Sequence, residues 1–318
     1  MKAVALISGG LDSILAAAIV KEQGIDVRGF HFVSVFAGNP EKARENCNKI
    51  RVPLKVQKAD ALYYRMLKNP KHGYGKNLNP CIDCRVHILR KAKEYADKVG
   101  AKFIITGEVL GQRPMSQYLN SMNLVEKESG LKGILVRPLS AKHLKETIPE
   151  QKKWINRTKL FGITGRSRKQ QLELAKKYNI TEEYYAGGGC LLTNKVFARR
   201  LRDLFEYSED SLRNIALLCI GRHFRLGNTK IIVGRNEKEN EILRKKKKTS
   251  ESLFEVKGIG SPVTLLIGEP LPESVKLAAQ LTARYSDSKK LKAEVSYGKK
   301  KIHSSKITDD ELEKYRIW

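Results

Sequence analysis

Two stretches of this chain combine residue types and spacings that do chemistry. The first, "SGGLDS" at Ser8–Ser13, stands between an apolar run and an Ala-rich segment. A strand, a glycine turn and a helix in that order gather backbone N–H groups at a helix N-terminus, where an anion is favoured. Gly9 and Gly10 let the backbone reach a phosphate with no Cβ in the way. Asp12 and Ser13 suit the helix cap, and the Ser8 and Ser13 hydroxyls suit phosphate oxygens. The spacing is neither that of the GxxxxGK[ST] loop nor GxGxxG. The plain alternative is a capped strand–helix turn.

The second is "NPCIDC", which brings Cys81 and Cys84 to one ion or cluster, with Cys190 far along the chain behind three glycines. That glycine run lets the Cys190 backbone approach another loop closely. The chain has five cysteines, an odd number, and in a reducing compartment they make no disulfide framework. A CxxC pair there reads as redox-active or metal-binding. Thiolates select zinc, copper(I) or iron–sulfur. Three of them hold a [4Fe–4S] cluster with one iron left open for hydrosulfide or substrate. Two other readings stand beside it: a persulfide relay with a resolving cysteine, and zinc with His87 as fourth ligand. Cys47 and Cys219 lie in helical or apolar surroundings and read as structural.

The elements that must position these groups alternate. "KAVALIS", "DVRGFHFVSVF", "VPLKVQKA" and "AKFIITGE" read as strands; "DSILAAAIVKEQG", "NPEKARENCNKI" and "CRVHILRKAKEYADKVG" read as helices. Such alternation predicts an α/β fold with a doubly wound parallel sheet. Ligands on such sheets sit at the carboxyl ends of the strands, where "SGGLDS", "HFVSVF" and "TGEVLGQ" emerge. A basic stretch, 142–180, reads as helical, and "NKVFARRLRDLFEY" as a helix. Beyond it the pattern becomes strand, turn, strand and helix, which predicts a smaller α+β domain. The expected division is 1–206 and 207–318.

Lysine and arginine exceed aspartate and glutamate by 61 to 34, a net charge of +27. Such a field attracts polyanions, nucleic acid foremost. No apolar run approaches the roughly 20 residues of a membrane helix. The first residues already read as a buried strand with no room for a cleavable leader, so a cytoplasmic location is expected.

"SGGLDS" behind the first strand resembles the pyrophosphatase loop of the PP-loop (N-type) ATP-adenylating enzymes, a HUP-like fold. The resemblance implies that Ser8, Gly9, Gly10, Asp12 and Ser13 cradle the pyrophosphate of ATP, with Asp12 helping to place Mg²⁺, and that His31 and Phe32 seat adenine. "TGEVLGQRPMSQ" at Thr106–Gln117 followed by "LVRPLS" is similar to the corresponding domain of ThiI-type tRNA 4-thiouridine synthases. It implies that Gly107, Glu108 and Gln112 serve the nucleotide, and that Arg113 and Gln117 face the RNA. "NPCIDCRVH" also resembles the MnmA-type 2-thiouridylases, and the distant third cysteine the cluster-dependent tRNA thiolases. Those imply catalysis by Asp12, Cys81, Cys84 and Cys190, the three cysteines holding [4Fe–4S]. "GRHFRLGNTKIIVGRNEKENEIL" resembles the RNA-binding NFACT-R module, with Arg222, His223, Arg225, Lys230, Arg235 and Asn236 as RNA contacts. The Arg244–Lys248 run adds phosphate contacts or forms a charged loop. The THUMP-containing region and the rhodanese domain of other ThiI-type proteins have no counterpart in these motifs, so the sulfur donor is open. The resulting expectation is ATP-dependent thiolation of a uridine in tRNA or another structured RNA. The product favoured by the resemblance is 4-thiouridine in tRNA; the rivals are a tRNA 2-thiouridine synthase of MnmA type, a PP-loop small-molecule ligase of deazapurine synthesis and a non-catalytic RNA- or ribosome-binding protein.

Overall fold

The computed structural model describes residues 1–180 and 189–318, which form two units, Met1–Thr193 and Asn194–Trp318. In the first, β1 (Lys2–Leu6), α1 (Leu11–Lys21), β2 (Asp26–Val33), α2 (Pro40–Lys49), β3 (Leu54–Lys58), α3 (Ala61–Lys68) and α4 (Cys81–Val99) come in order. They are followed by β4 (Phe103–Ile105), α5 (Leu119–Glu128), β5 (Leu135–Val136), α6 (Ile148–Gln151) and α7 (Lys169–Lys177). The five strands are parallel in the order β3-β2-β1-β4-β5. This is the doubly wound sheet expected.

Period-two alternation in β1 explains the two layers. Ala3, Ala5 and Ile7 face one core with Ile14, Leu15 and Ile19 of α1, Cys47 of α2 and Ala175 of α7. Val4 and Leu6 face the other with Val86, Leu89, Ala92 and Ala96 of α4 and Val125 of α5. Each fully buried Leu or Val on these faces contributes about 1.5–3 kcal/mol. Because β1 is central and its neighbours run parallel, the loops after β1, β2 and β4 leave the same edge of the sheet.

The second unit contains α8 (Lys195–Glu206), α9 (Leu212–Leu217), β6 (Arg222–Leu226), β7 (Thr229–Val233), α10 (Glu237–Lys246), β8 (Ser252–Val256) and β9 (Thr264–Ile267). It ends with α11 (Pro272–Arg284), β10 (Lys292–Tyr297), β11 (Lys300–Ser305) and α12 (Asp309–Glu313). The sheet is antiparallel, in the order β11-β10-β8-β9-β7-β6. Leu277, Ala278 and Leu281 of α11 pack on one face with Phe224, Phe254 and Val295. Leu217 of α9 and Leu243 of α10 pack on the other with Ile232 and Leu265. The outer strand β6 is covered by the chain end, where Arg225 N donates to Tyr315 O and Ile317 N to His223 O. The opposite outer strand, β11, instead exposes Lys300, Lys301 and His303.

The second unit begins at Asn194 rather than at the expected Tyr207. Helix α8 belongs with it because its Asp203 pairs with Arg225 and Lys230 of the second sheet. The basic stretch 142–180 is not one helical region. It holds α6, α7 and two single 3-10 turns, with loops between them. Gly162 and Gly165 interrupt it, and Thr164 forms a bridge to Leu110. Among the described residues no helix is long and apolar enough to cross a membrane.

Candidate active site

The loop after β1 folds on itself. Ser13 Oγ donates to Gly10 O at 2.8 Å and accepts from Ser8 N at 3.1 Å, and Gly10 N donates to Ser8 Oγ at 3.3 Å. The two hydroxyls therefore shape the turn rather than cap the helix. Gly10 is the N-cap of α1 and makes no side-chain cap bond, which leaves first-turn amides facing outward to an anion. Gly9 takes φ +85°, a left-handed conformation that favours glycine. Its carbonyl accepts from Asn46 Nδ2 at 2.9 Å, so α2 fixes the loop from beneath. Asn46 is fully buried, and as one of two asparagines in a polar helix it gave no sequence signal.

Asp12 lies in the first turn of α1. Gln112 Nε2 donates to its Oδ2 at 2.8 Å, and its buried Oδ1 has no hydrogen-bond partner. An unpartnered buried carboxylate oxygen beside a phosphate-type loop fits a divalent cation such as Mg²⁺. Gly107 presses against the same turn: a Cβ there would lie 2.4 Å from the Asp12 backbone. At the end of β2, His31 Nδ1 is 2.7 Å from Ile7 O, and its buried Nε2 has no partner. Since a carbonyl only accepts, the proton sits on Nδ1, and Nε2 offers a lone pair. Burial pushes the His31 pKa down and keeps the ring neutral.

Glu108 takes another part than direct nucleotide contact. It is 3% exposed, and its oxygens accept from Arg85 Nε and Arg137 Nε, both at 2.9 Å, and from Thr106 Oγ1 at 3.0 Å. Burial alone would raise its pKa, but the two guanidiniums overcome this and hold it down at about 2. It is a buried anchor for the strand ends. Gln117 is similar: its Oε1 accepts from Arg113 N at 3.0 Å, closing the loop, while Arg113 itself is exposed.

Cys81 and Cys84 open α4. Cys190 is brought toward them by the backbone on its C-terminal side, where Leu191 N donates to Phe36 O and Leu78 N to Leu192 O. Asn77 Nδ2 adds a bond to Thr193 O at 2.7 Å. The three thiols are within electrostatic reach of one another. Burial raises each; Cys84 goes up to about 12, with Cys190 and Cys81 raising it further and Tyr63 opposing. Thiols so placed ionise when a positive centre joins them, which suits metal ligation. No group of three His, Cys, Asp or Glu among the described residues is set to hold a single metal ion. As soft donors the three thiols are of the type that takes zinc, copper(I) or an iron–sulfur cluster. His87 does not complete the set: its Nε2 faces Asp60 Oδ1 at 3.4 Å. Residues 187 and 188 of the glycine run before Cys190 lie outside the described residues.

Phe32 links the two halves of the site. Its ring packs on Tyr63 at 5.1 Å, and Tyr63 Oη is 3.4 Å from Cys84 Sγ. The expected nucleotide seat and the cysteines thus share one wall.

In the second unit most of the expected RNA contacts are engaged internally. Lys230 is 1% exposed and pairs with Asp203 at 2.5 Å. Arg225 grips both Asp203 and Glu209 and lies over Tyr207. His223 is buried against Ile220 O, and Asn236 caps α10 by accepting from Glu239 N. Lys230, Arg225 and His223 are closed inside the unit, whereas Asn236 stays exposed at the head of α10. Arg222 covers Tyr285, and Arg235, half exposed, pairs with Glu239. These two keep part of their surface in solvent.

Residues 1–164 match the family model described as Thiamine biosynthesis protein (ThiI), and residues 221–316 the one described as NFACT protein RNA binding domain. A probable tRNA sulfurtransferase of Thermococcus kodakarensis is 32% identical over 160 residues, 48% of this chain and 40% of that protein. A tRNA-specific 2-thiouridylase MnmA of Listeria monocytogenes is 21% identical over 321 residues, 91% of this chain and 83% of that protein. A solved 4-thiouridine synthetase–RNA complex with bound ATP aligns with a TM-score of 0.44 and 25% identity, covering 61% of this chain and 45% of that one. The chain thus spans well under half the length of the first relative. The ThiI model covers just over half of the chain, and on that match the protein belongs to the ThiI family.

Proposed function

We propose that this protein is an ATP-dependent RNA uridine thiolase, acting most directly as a tRNA 4-thiouridine synthase. The observation that carries the reading is the shared wall: a phosphate-type loop with an unpartnered Asp12 oxygen, joined through Phe32 and Tyr63 to three converging cysteines.

The oxygen of a base carbonyl is a poor leaving group. When it attacks the α-phosphorus of ATP, the new O–P bond forms as the bond to the pyrophosphate oxygen breaks. The first-turn amides of α1 offset charge on the departing pyrophosphate, and Asp12 Oδ1 is the group to hold Mg²⁺. His31 Nε2 accepts from a nucleotide donor, and Phe32 provides an apolar face. Sulfur then attacks the activated carbon, and AMP leaves with the oxygen. Cys81, Cys84 and Cys190 are the residues to hold a [4Fe–4S] cluster, which when bound supplies an iron position for the incoming sulfide. The second unit, by its match to an RNA-binding domain, and the +27 charge hold the RNA.

The 2-thiouridine alternative rests on the MnmA match across 91% of the chain. One experiment tests both: anaerobic incubation of the chain with tRNA, ATP, Mg²⁺ and sulfide, followed by nucleoside mass spectrometry. Either 4-thiouridine or 2-thiouridine appears, and each of Cys81→Ala, Cys84→Ala and Cys190→Ala abolishes it while ATP binding stays within about twofold. Full thiouridine formation by all three variants overturns the sulfur-handling assignment. Absence of any thiouridine from the reconstituted wild-type chain overturns the whole reading.

A further inference from the structure

The segment 164–171 has no assigned part, yet it lies against the nucleotide side of the site. Gly165 N donates to Leu110 O at 2.8 Å, and Thr164 bridges to Leu110. Gln171, in the first turn of α7, is fully buried and donates through Nε2 to Gln112 Oε1 at 3.1 Å. Gln112 in turn donates to Asp12 Oδ2 at 2.8 Å. The direction of this chain is forced. A carboxylate only accepts, so Gln112 presents its NH₂ to Asp12 and its oxygen to Gln171, which must then donate. Gln171 Oε1 is left buried without a partner, as is Asp12 Oδ1.

Two buried acceptors with nothing to bind therefore stand on one connected network beside the loop of β1 and α1. Just ahead of Gln171 come Arg166, Arg168 and Lys169, two of them exposed and Arg168 half-buried. None of the three is paired with an acidic residue among the described residues. A departing pyrophosphate carries several negative charges, and the amides of α1 neutralise one side of it only.

We propose that segment 164–171 is the second wall of the triphosphate site. Gln171 fixes it on Asp12 through Gln112, and Arg166, Arg168 and Lys169 hold the β- and γ-phosphates as the bond to the α-phosphate breaks. The electron pair of that bond goes to the pyrophosphate oxygen, and the three cations stabilise it there. The inference rests on the nucleotide reading of the β1–α1 loop. Gln171 acts as a positioning residue, and the cations make the contact.

The test is calorimetric binding of inorganic pyrophosphate, with Mg²⁺, to the full chain without RNA. Arg166→Gln, Arg168→Gln and Lys169→Gln combined weaken pyrophosphate binding at least about 30-fold and leave AMP binding within about twofold. Should the triple variant fail to fold, the three single variants carry the same reading, each with a smaller loss. Gln171→Met weakens pyrophosphate binding about fivefold. Gln171→Glu, which sets an acceptor against Gln112 Oε1, weakens it more at equal melting temperature, an order that a merely structural role does not produce. Unchanged pyrophosphate affinity in the triple variant overturns the proposal, and so does a loss confined to RNA affinity. A wild-type chain that binds neither ATP nor pyrophosphate removes the nucleotide reading itself, and this inference with it.

Discussion

The loop of β1 and α1 and the first hairpin of the second unit were both picked out by motif, yet the structure treats them in opposite ways. At the loop, Asp12 Oδ1 and His31 Nε2 are buried and unpartnered, at a cost that folding alone does not require. In the hairpin, the charges of Arg225 and Lys230 are closed on Asp203 and Glu209, and Asn236 is closed on its own helix. Each region leaves one buried ring nitrogen unpartnered, His31 Nε2 and His223 Nδ1, but the loop also leaves a carboxylate oxygen of Asp12 open beside the first-turn amides of α1, where the hairpin has paired its charges. The buried pairs of the hairpin therefore mark how the second unit is built, and of the expected RNA contacts Arg222, Arg235 and Asn236 keep surface in solvent.

The largest way to break this contrast is at Asp203. Asp203→Ala strands the buried Lys230 and leaves Arg225 with Glu209 alone, which costs about 3–5 kcal/mol. Chemical denaturation will show the second unit melting early while ATP binding persists. If RNA affinity falls instead and stability holds, those cations serve RNA and the contrast fails.

Acid sharpens it next. Glu108 has its folded pKa lowered to about 2, so its stabilisation is complete above the unfolded value near 4.5 and is lost as pH falls toward 2. At about 1.4 kcal/mol per pH unit the full effect is on the order of 3 kcal/mol. Stability measured between pH 5 and pH 2 will fall steeply in the wild type and less in Glu108→Gln, whose baseline is already lower.

A smaller effect follows at Gly107. The Cβ of Gly107→Ala meets the Asp12 backbone, and relieving it costs about 1–3 kcal/mol. ATP affinity drops about tenfold, with RNA affinity unchanged; equal ATP affinity removes the tight approach from the account. The smallest effect belongs to the Arg244–Lys248 run. Replacing Lys247 and Lys248 by Ala leaves stability within about 0.5 kcal/mol. It lowers the salt slope of RNA binding by about one for each phosphate that either lysine neutralises in the wild type.

The first unit was largely legible because its chemistry is local. Ser8–Ser13 and Gly107 sit at strand ends that the alternation of elements predicts, and Cys81–Cys84 fall within one turn at the start of α4. What escaped was long-range. Asp203 reaches Lys230 across 27 positions, and Gln171 reaches Gln112 across 59, with no local pattern to announce either. Helix α3 went unread, because its two buried residues, Tyr63 and Leu67, make too short a stripe. The final hairpin β10–β11 was hidden by its lysines, which mask the alternation on the outer face.

Those lysines have a practical consequence. An outer strand with open backbone groups is a template for another copy, and like charge along β11 keeps such copies apart. Any polyanion that coats the strand cancels this repulsion. Preparations carrying residual nucleic acid will therefore scatter light and clump, and stripping it with high salt will restore a monodisperse solution.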